Sequence, residues 1–160
     1  MTETSAHRLQ SVEIDDQSLS AVSRDQEQER QVAVFDLLEE NYFAPAGAET
    51  GPYDLRLTLI DGRLALDIGG PGYAHRFMLS MSALRGTIKD YFIVCESYYQ
   101  AIRNATPHQI EALDMSRRSL HNEGSALLIE RLEGKIAIDM ATSRRLFTLI
   151  CALHRRSSAL

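Results

Sequence analysis

The stretch DLRLTLIDGRLALDI, residues 54–68, admits few structures. Apolar residues alternate on both sides of Asp61-Gly62, and that dipeptide suits a two-residue type I′ hairpin turn, whose central positions both need positive φ. Folding about the turn sets Leu59 opposite Leu64, Leu57 opposite Leu66 and Leu55 opposite Ile68, all on one face. Arg56 then faces Asp67 on the other face, so turn chemistry, alternation and charge agree on one register. The loop GGPG (69–72) leads to YAHRFML (73–79), whose alternation predicts a third strand. RLQSVEI (8–14), with Val12 and Ile14, predicts a fourth at an edge. The second face, carrying Arg56, Thr58, Ala65 and Asp67, is polar enough to meet solvent.

Helical periodicity carries the rest. Residues 25–43 open with Asp25, Glu27 and Glu29, which suit the positive end of a helix, and Phe35, Leu38 and Tyr42 form its expected apolar stripe. In residues 82–105, Leu84, Ile88, Phe92, Cys95, Tyr99 and Ile102 recur at helical intervals, beside a second stripe of Tyr91, Val94, Tyr98 and Ala101. So wide an apolar surface predicts a central helix. Thr106-Pro107-His108-Gln109 is a capping box with proline at the first helical position. From there the phase runs Ile110, Leu113, Arg117, Leu120, Gly124, Leu128 and Arg131, unbroken across HNEG. The spacing predicts one helix from 107 to about 133, closed by Gly134 with Lys135 after it. Glycine at 124 costs about 1 kcal/mol against alanine, a cost that close approach by the last helix would offset. That last helix, roughly 140–155, takes Asp139 as N-cap and buries Leu146, Leu149, Ile150 and Leu153.

These elements predict an α+β fold, a three- or four-stranded antiparallel meander packed on one face by about four helices. The chain of 160 residues suits a single domain over 1–160. It would comprise an N-terminal strand and helix, a sheet at 53–80, a helical half at 81–156 and short disordered ends. APAGAETGP (44–52) reads as an internal loop.

Composition narrows the function classes. No apolar run approaches the ~18 residues of a membrane span, and MTETSAHRLQ lacks the basic start and apolar stretch of a signal peptide. Cys95 and Cys151 lie on apolar stripes as buried, reduced thiols, so cytoplasm is the expected location and no membrane partner is expected. Residues 1–115 carry a net charge of −9 and residues 116–160 a net +4, with 15 arginines against two lysines. The basic third could meet an anion, an acidic partner or the acidic part of its own chain.

The densest reactive stretch is RRSLHNEGSALL, residues 117–128. Arg117, Arg118 and His121, with Asn122 and Glu123 beside them and Lys135, Arg144 and Arg145 from elsewhere, could grip a phosphate or carboxylate. Glu123 could serve as a base and His121 as an acid. Alternatively the arginines form structural ion pairs with Asp114, Glu130, Glu133 or Asp139. Other chemistries lack their full sets. His7, His75, His108, His121 and His154 show no paired metal spacing, and Cys151 with His154 supplies only two ligands, so no metal and no cofactor are expected. GGPGY lacks the lysine and helix of a phosphate loop.

Four stretches, GPYDLRL (51–57), KDYFIVCESYYQAIR (89–103), IEALDMSRRSLHNEGSALLIERLEGKI (110–136) and ATSRRLFTLICALH (141–154), resemble in order and spacing the uncharacterised bacterial protein family UPF0262. The resemblance covers nearly the whole chain and implies a small cytoplasmic bacterial protein, without assigning an activity or a catalytic residue. Members often carry glycine where this chain has Ser116 and Ser119, which favours a continuous helix here. The leading expectation is a non-enzymatic interaction or regulatory module that uses the basic C-terminal helical surface to meet a protein partner with an acidic surface. An enzyme or sensor binding a small anionic ligand at 117–123 with Arg145 is the alternative, and whether the chain is an enzyme stays open. Nucleic acid is disfavoured because the chain is acidic overall, leaving RNA or ribosome association as a lesser alternative.

Overall fold

Asp61 and Gly62 adopt φ of 49° and 76°, the two positive values that a type I′ turn needs. The turn joins β3 (Tyr53–Ile60) to β4 (Arg63–Gly70) with Leu59 paired to Leu64, Leu57 to Leu66, Leu55 to Ile68 and Arg56 to Asp67. β5 (Tyr73–Ser80) extends the meander antiparallel to β4. The computed structural model describes residues 6–15 and 24–154, and the short ends expected to be disordered lie outside the described residues.

β1 (Leu9–Ile14) occupies the edge beside β3, and the sheet order is β1-β3-β4-β5. It runs parallel to β3, which makes the sheet mixed. A parallel partner needs a crossover rather than a hairpin, and α1 (Arg24–Glu39) lies within that crossover.

α1 ends four residues short of the expected boundary. Asn41 Nδ2 donates to the Leu37 carbonyl at 2.9 Å while its Oδ1 accepts from Leu9 N at 2.7 Å. One side chain thus finishes the helix and ties it to β1. Phe43–Pro45 forms β2 instead, antiparallel to β6 (Ile136–Ile138). The buried stripe of α1 is Gln26, Arg30, Ala33 and Leu37, and Phe35 faces solvent at 67% exposure.

The helical layer runs α1, α4 (Met140–His154), α3 (Pro107–Leu132), α2 (Ser82–Asn104), each packed on the next. α4 is therefore the central helix, with nine of its fifteen residues buried. Asp139 caps it, its Oδ1 accepting from Thr142 N at 2.8 Å. α2 instead lies on the flank: its core-facing stripe is buried at Leu84, Ile88 and Cys95 but continues outward as Tyr99 and Ile102, each more than half exposed. Hydrophobicity all round the helix indicated burial on several sides, yet the outer half of α2 packs mainly on α3.

α3 runs unbroken through His121 and Asn122, opened by the reciprocal Thr106–Gln109 capping box and followed by Gly134 at φ 82°. At Gly124 a side chain would fall on the Phe147 ring of α4. Close to this contact, Ser143 Oγ donates to the Ser125 carbonyl at 2.6 Å. Small residues here let two helices approach, which offsets the helix cost of glycine. One hydrophobic cluster takes residues from β1, β3, β4, β5 and all four helices.

Candidate functional site

The unbroken helix spreads the polar cluster around a rod. Arg117 points inward, as its phase requires, and its Nη2 donates to Asp114 Oδ1 at 2.5 Å. Its guanidinium lies 4.8 Å from the centre of the Tyr98 ring, a cation–π arrangement. Nε of Arg117 is buried without a hydrogen-bond partner, so this arginine is held by one carboxylate and one aromatic face. Arg118 reaches the second oxygen of Asp114 at 3.1 Å while its side chain stays 66% exposed. Hydrogen bonding to Arg117, with the nearby Arg118 charge, holds the Asp114 carboxyl below its ordinary value despite some desolvation.

His121 sits edge-on to Tyr91 and Phe147, with ring centroids 5.4 and 5.2 Å away. Its Nε2 lies 2.8 Å from Thr148 Oγ1, and that hydroxyl donates its only proton to the Arg144 carbonyl at 3.0 Å. The imidazole must therefore donate from Nε2, which fixes the tautomer by elimination. Burial, then the positive charges of Arg144 and Arg117, lower the His121 pKa from 6.5. Burial is also the largest cause raising the Tyr91 pKa, so Tyr91 stays a neutral phenol.

The other candidates are used separately. Arg144 Nε donates to Asn122 Oδ1 at 3.0 Å, and Arg145 Nη1 donates to the Glu40 carbonyl at the end of α1. Glu123 is exposed. Lys135 lies beyond the far end of α3, its Nζ donating to the Met78 carbonyl of β5 at 3.2 Å. That end is about 22 Å from Arg117 along the helix axis. Seven of the eight candidates thus divide among an Asp114 clasp, an α3–α4 seam around His121, a brace to α1 and a distant tie to the sheet, with Glu123 exposed beside the seam. Among the described residues, no three His, Cys, Asp or Glu side chains gather where they could hold a metal.

The sequence offered Asp114 as one of four carboxylate partners, with Glu130, Glu133 and Asp139; the structure pairs both arginines with Asp114, which stands three and four residues before them. Sequence reasoning missed Thr148, Tyr91 and Tyr98 as neighbours of the cluster. Those contacts depend on how α2 and α4 dock on α3, and no local spacing encodes them.

The His121 environment sets a pH dependence. The unfolded chain accepts a proton near 6.5 and the folded chain only at lower pH, so stability rises with pH across that window. Acidification from 7.5 should therefore weaken folding as pH falls below 6.5 towards the lower native value. His121→Gln keeps an N–H for Thr148 but removes the titration, and urea midpoints measured across that range should be flatter. Parallel curves for the two proteins would refute the assignment. Asp114 acts in a separate, more acidic window: its stabilisation is present above 3.8 and is lost as pH falls through its lower native value.

The model of the uncharacterised protein family UPF0262 matches residues 6–156. The chain belongs to the UPF0262 family. A UPF0262 protein of Phenylobacterium zucineum is 71% identical over 150 residues, covering 94% of both chains. One of Caulobacter vibrioides is 69% identical with the same coverage, and one of Hyphomonas neptunium is 59% identical, covering 93% of each. These bacterial relatives share the chain's length almost end to end, so the UPF0262 similarity spans the described fold. No solved structure matches the chain. No helix among the described residues is long and apolar enough to cross a membrane.

Proposed function

We propose that this UPF0262 chain is a non-enzymatic cytoplasmic interaction module whose contact surface is the outer face of the helical layer. The observation that carries the reading is the distribution of the candidate side chains. Arg117, Lys135 and Arg145 are committed to Asp114, Met78 and Glu40, whereas Arg118 and Arg144 stay exposed while they touch Asp114 and Asn122. Exposed Val32 and Phe35 on α1 add apolar area to the same helical layer, at 53% and 67% exposure. Exposed apolar area beside exposed charge suits a protein partner better than a small anion.

The test is capture from the native host with a tagged full-length chain. A stoichiometric protein should be retained, and Arg118→Glu combined with Arg144→Glu should release it while leaving the circular dichroism spectrum unchanged. Retention of the same protein by the folded double variant would overturn the reading. So would stabilisation of the wild-type chain by a phosphorylated metabolite in a thermal-shift screen, where ligand at 100 times its Kd adds about 2.7 kcal/mol.

A further inference from the structure

We propose that the partner fitted by this face is a second copy of the chain, bound about a two-fold axis. The inference rests on the interaction-module reading and adds the identity of the partner.

α1 carries Asp25 and Asp36 on the side that turns towards α4, and both are exposed. With Val32 and Thr148 they line an open groove between α1 and α4. Thr148 is in turn bonded to His121 of α3, and Arg144, one turn before Thr148, is bonded to Asn122 of α3. The groove, the acidic strip of α1 and the basic strip of Arg118 and Arg144 therefore belong to one continuous face. Phe35 lies beside it, open to solvent.

The two strips have opposite sign but stand apart. α4 separates α1 from Arg118 of α3, and two helix spacings amount to roughly 16–20 Å; Arg144 stands on α4, one spacing from α1, and turns to Asn122 of α3. The Arg118 distance exceeds the screening length of about 8 Å at physiological ionic strength, so Asp25 and Asp36 do not neutralise Arg118 within one chain. Arg118 turns to Asp114 of its own helix instead.

A foreign partner with a uniformly acidic surface would satisfy Arg118 and Arg144 but set its charges against Asp25 and Asp36. A uniformly basic one would do the reverse, and like-charge juxtaposition is costly. The partner must carry both strips, at the same spacing and in opposite order. A copy related by a two-fold axis that runs along the helices, between the strips, does so, because an isologous interface sets residue i against j and j against i. Each copy then sets its acidic α1 strip against the other's arginines, with Val32 and Phe35 supplying apolar area between them.

Sedimentation velocity on the purified full-length chain tests this. The wild type should associate to a dimer as concentration rises, and added salt should weaken it. Arg118→Glu with Arg144→Glu makes both strips acidic, while Asp25→Arg with Asp36→Arg makes both basic. Each variant alone should dimerise at least about tenfold more weakly, and an equimolar mixture of the two should restore a heterodimer. Phe35→Ser should weaken the dimer without touching a charge, which keeps the test open should a charge variant fail to fold. A wild type monomeric at every concentration, or dimers unchanged in both charge variants, would overturn the inference. Capture of a different host protein by a monomeric wild type would overturn the second-copy assignment alone and leave the interaction-module reading standing.

Discussion

Gly124→Val should be among the most damaging single substitutions in the chain, lowering stability by about 3 kcal/mol or more. A Cβ at position 124 falls on the distal ring atoms of Phe147, which is fully buried. The ring has little room to move, because it is packed edge-on to both His121 and Tyr91. Gly124→Ala separates the two opposing terms: alanine gains about 1 kcal/mol of helix propensity, and overpacking costs about 1–3 kcal/mol, so a net loss is expected. Phe147→Leu removes the atoms Cε1, Cε2 and Cζ that the new methyl would strike. In that background Gly124→Ala should become neutral or stabilising, a change of sign that urea denaturation of the four proteins in the cycle would read directly. If Gly124→Ala stabilises the otherwise wild-type chain, the close α3–α4 contact is refuted.

The same contact marks the limit of what the sequence discloses. The persistence of apolar phase across HNEG requires a helix that does not bend at Asn122, and glycine inside such a helix requires a neighbour; both inferences hold in the fold. The β3–β4 register was readable for a similar reason, since Asp61-Gly62 and the alternation around it allow one pairing. Elements that fail to follow from the sequence owe their form to distant residues. α1 stops at Glu39 because Asn41 bonds to Leu9, 32 residues away, and Phe43–Pro45 becomes a strand because Ile136–Ile138 lies alongside. Periodicity on α2 records the apolar face but not where along the helix the core ends, so Tyr99 and Ile102 were not distinguishable from Leu84 and Ile88. On the outer sheet face, Arg56 and Asp67 are register partners as expected. The Asp67 carboxylate nevertheless binds Arg76 at 2.6 and 2.9 Å, whereas Arg56 turns to Glu13 and Asp15 at 3.8 and 3.7 Å. Each cross-strand position has two neighbours, and pairing only β3 with β4 left β1 and β5 out of the competition. For the polar cluster, Asp114 was one of four carboxylates open to the arginines, while the seam to Thr148 depended on a docking angle.

Tyr53→Ala should cost about 3–5 kcal/mol, the range for removing a large buried aromatic side chain. Tyr53 is fully buried at the point where β1, β2 and β3 meet, with ring centroids of His7, Phe43 and Tyr73 at 6.0, 6.2 and 6.3 Å. Its ring lies against the backbone of Gly70, where a Cβ would stand 2.8 Å from ring Cδ1. The hydroxyl meets His7 Nδ1 at 2.7 Å, so Tyr53→Phe removes one hydrogen bond and should cost only about 1 kcal/mol. Most of the effect is therefore assigned to the ring. Its loss should be felt first in β1, because that strand is the parallel edge of the sheet and the Tyr53 amide binds the Arg8 carbonyl at 2.8 Å. Hydrogen exchange should record a larger loss of protection at Val12 and Ile14 than at Leu64 and Leu66, which have strands on both sides. Equal losses at the four positions would mean that the sheet opens as a unit. A Tyr53→Phe variant as unstable as Tyr53→Ala would move the energy from the ring to the hydroxyl and refute its assignment as the anchor of β1.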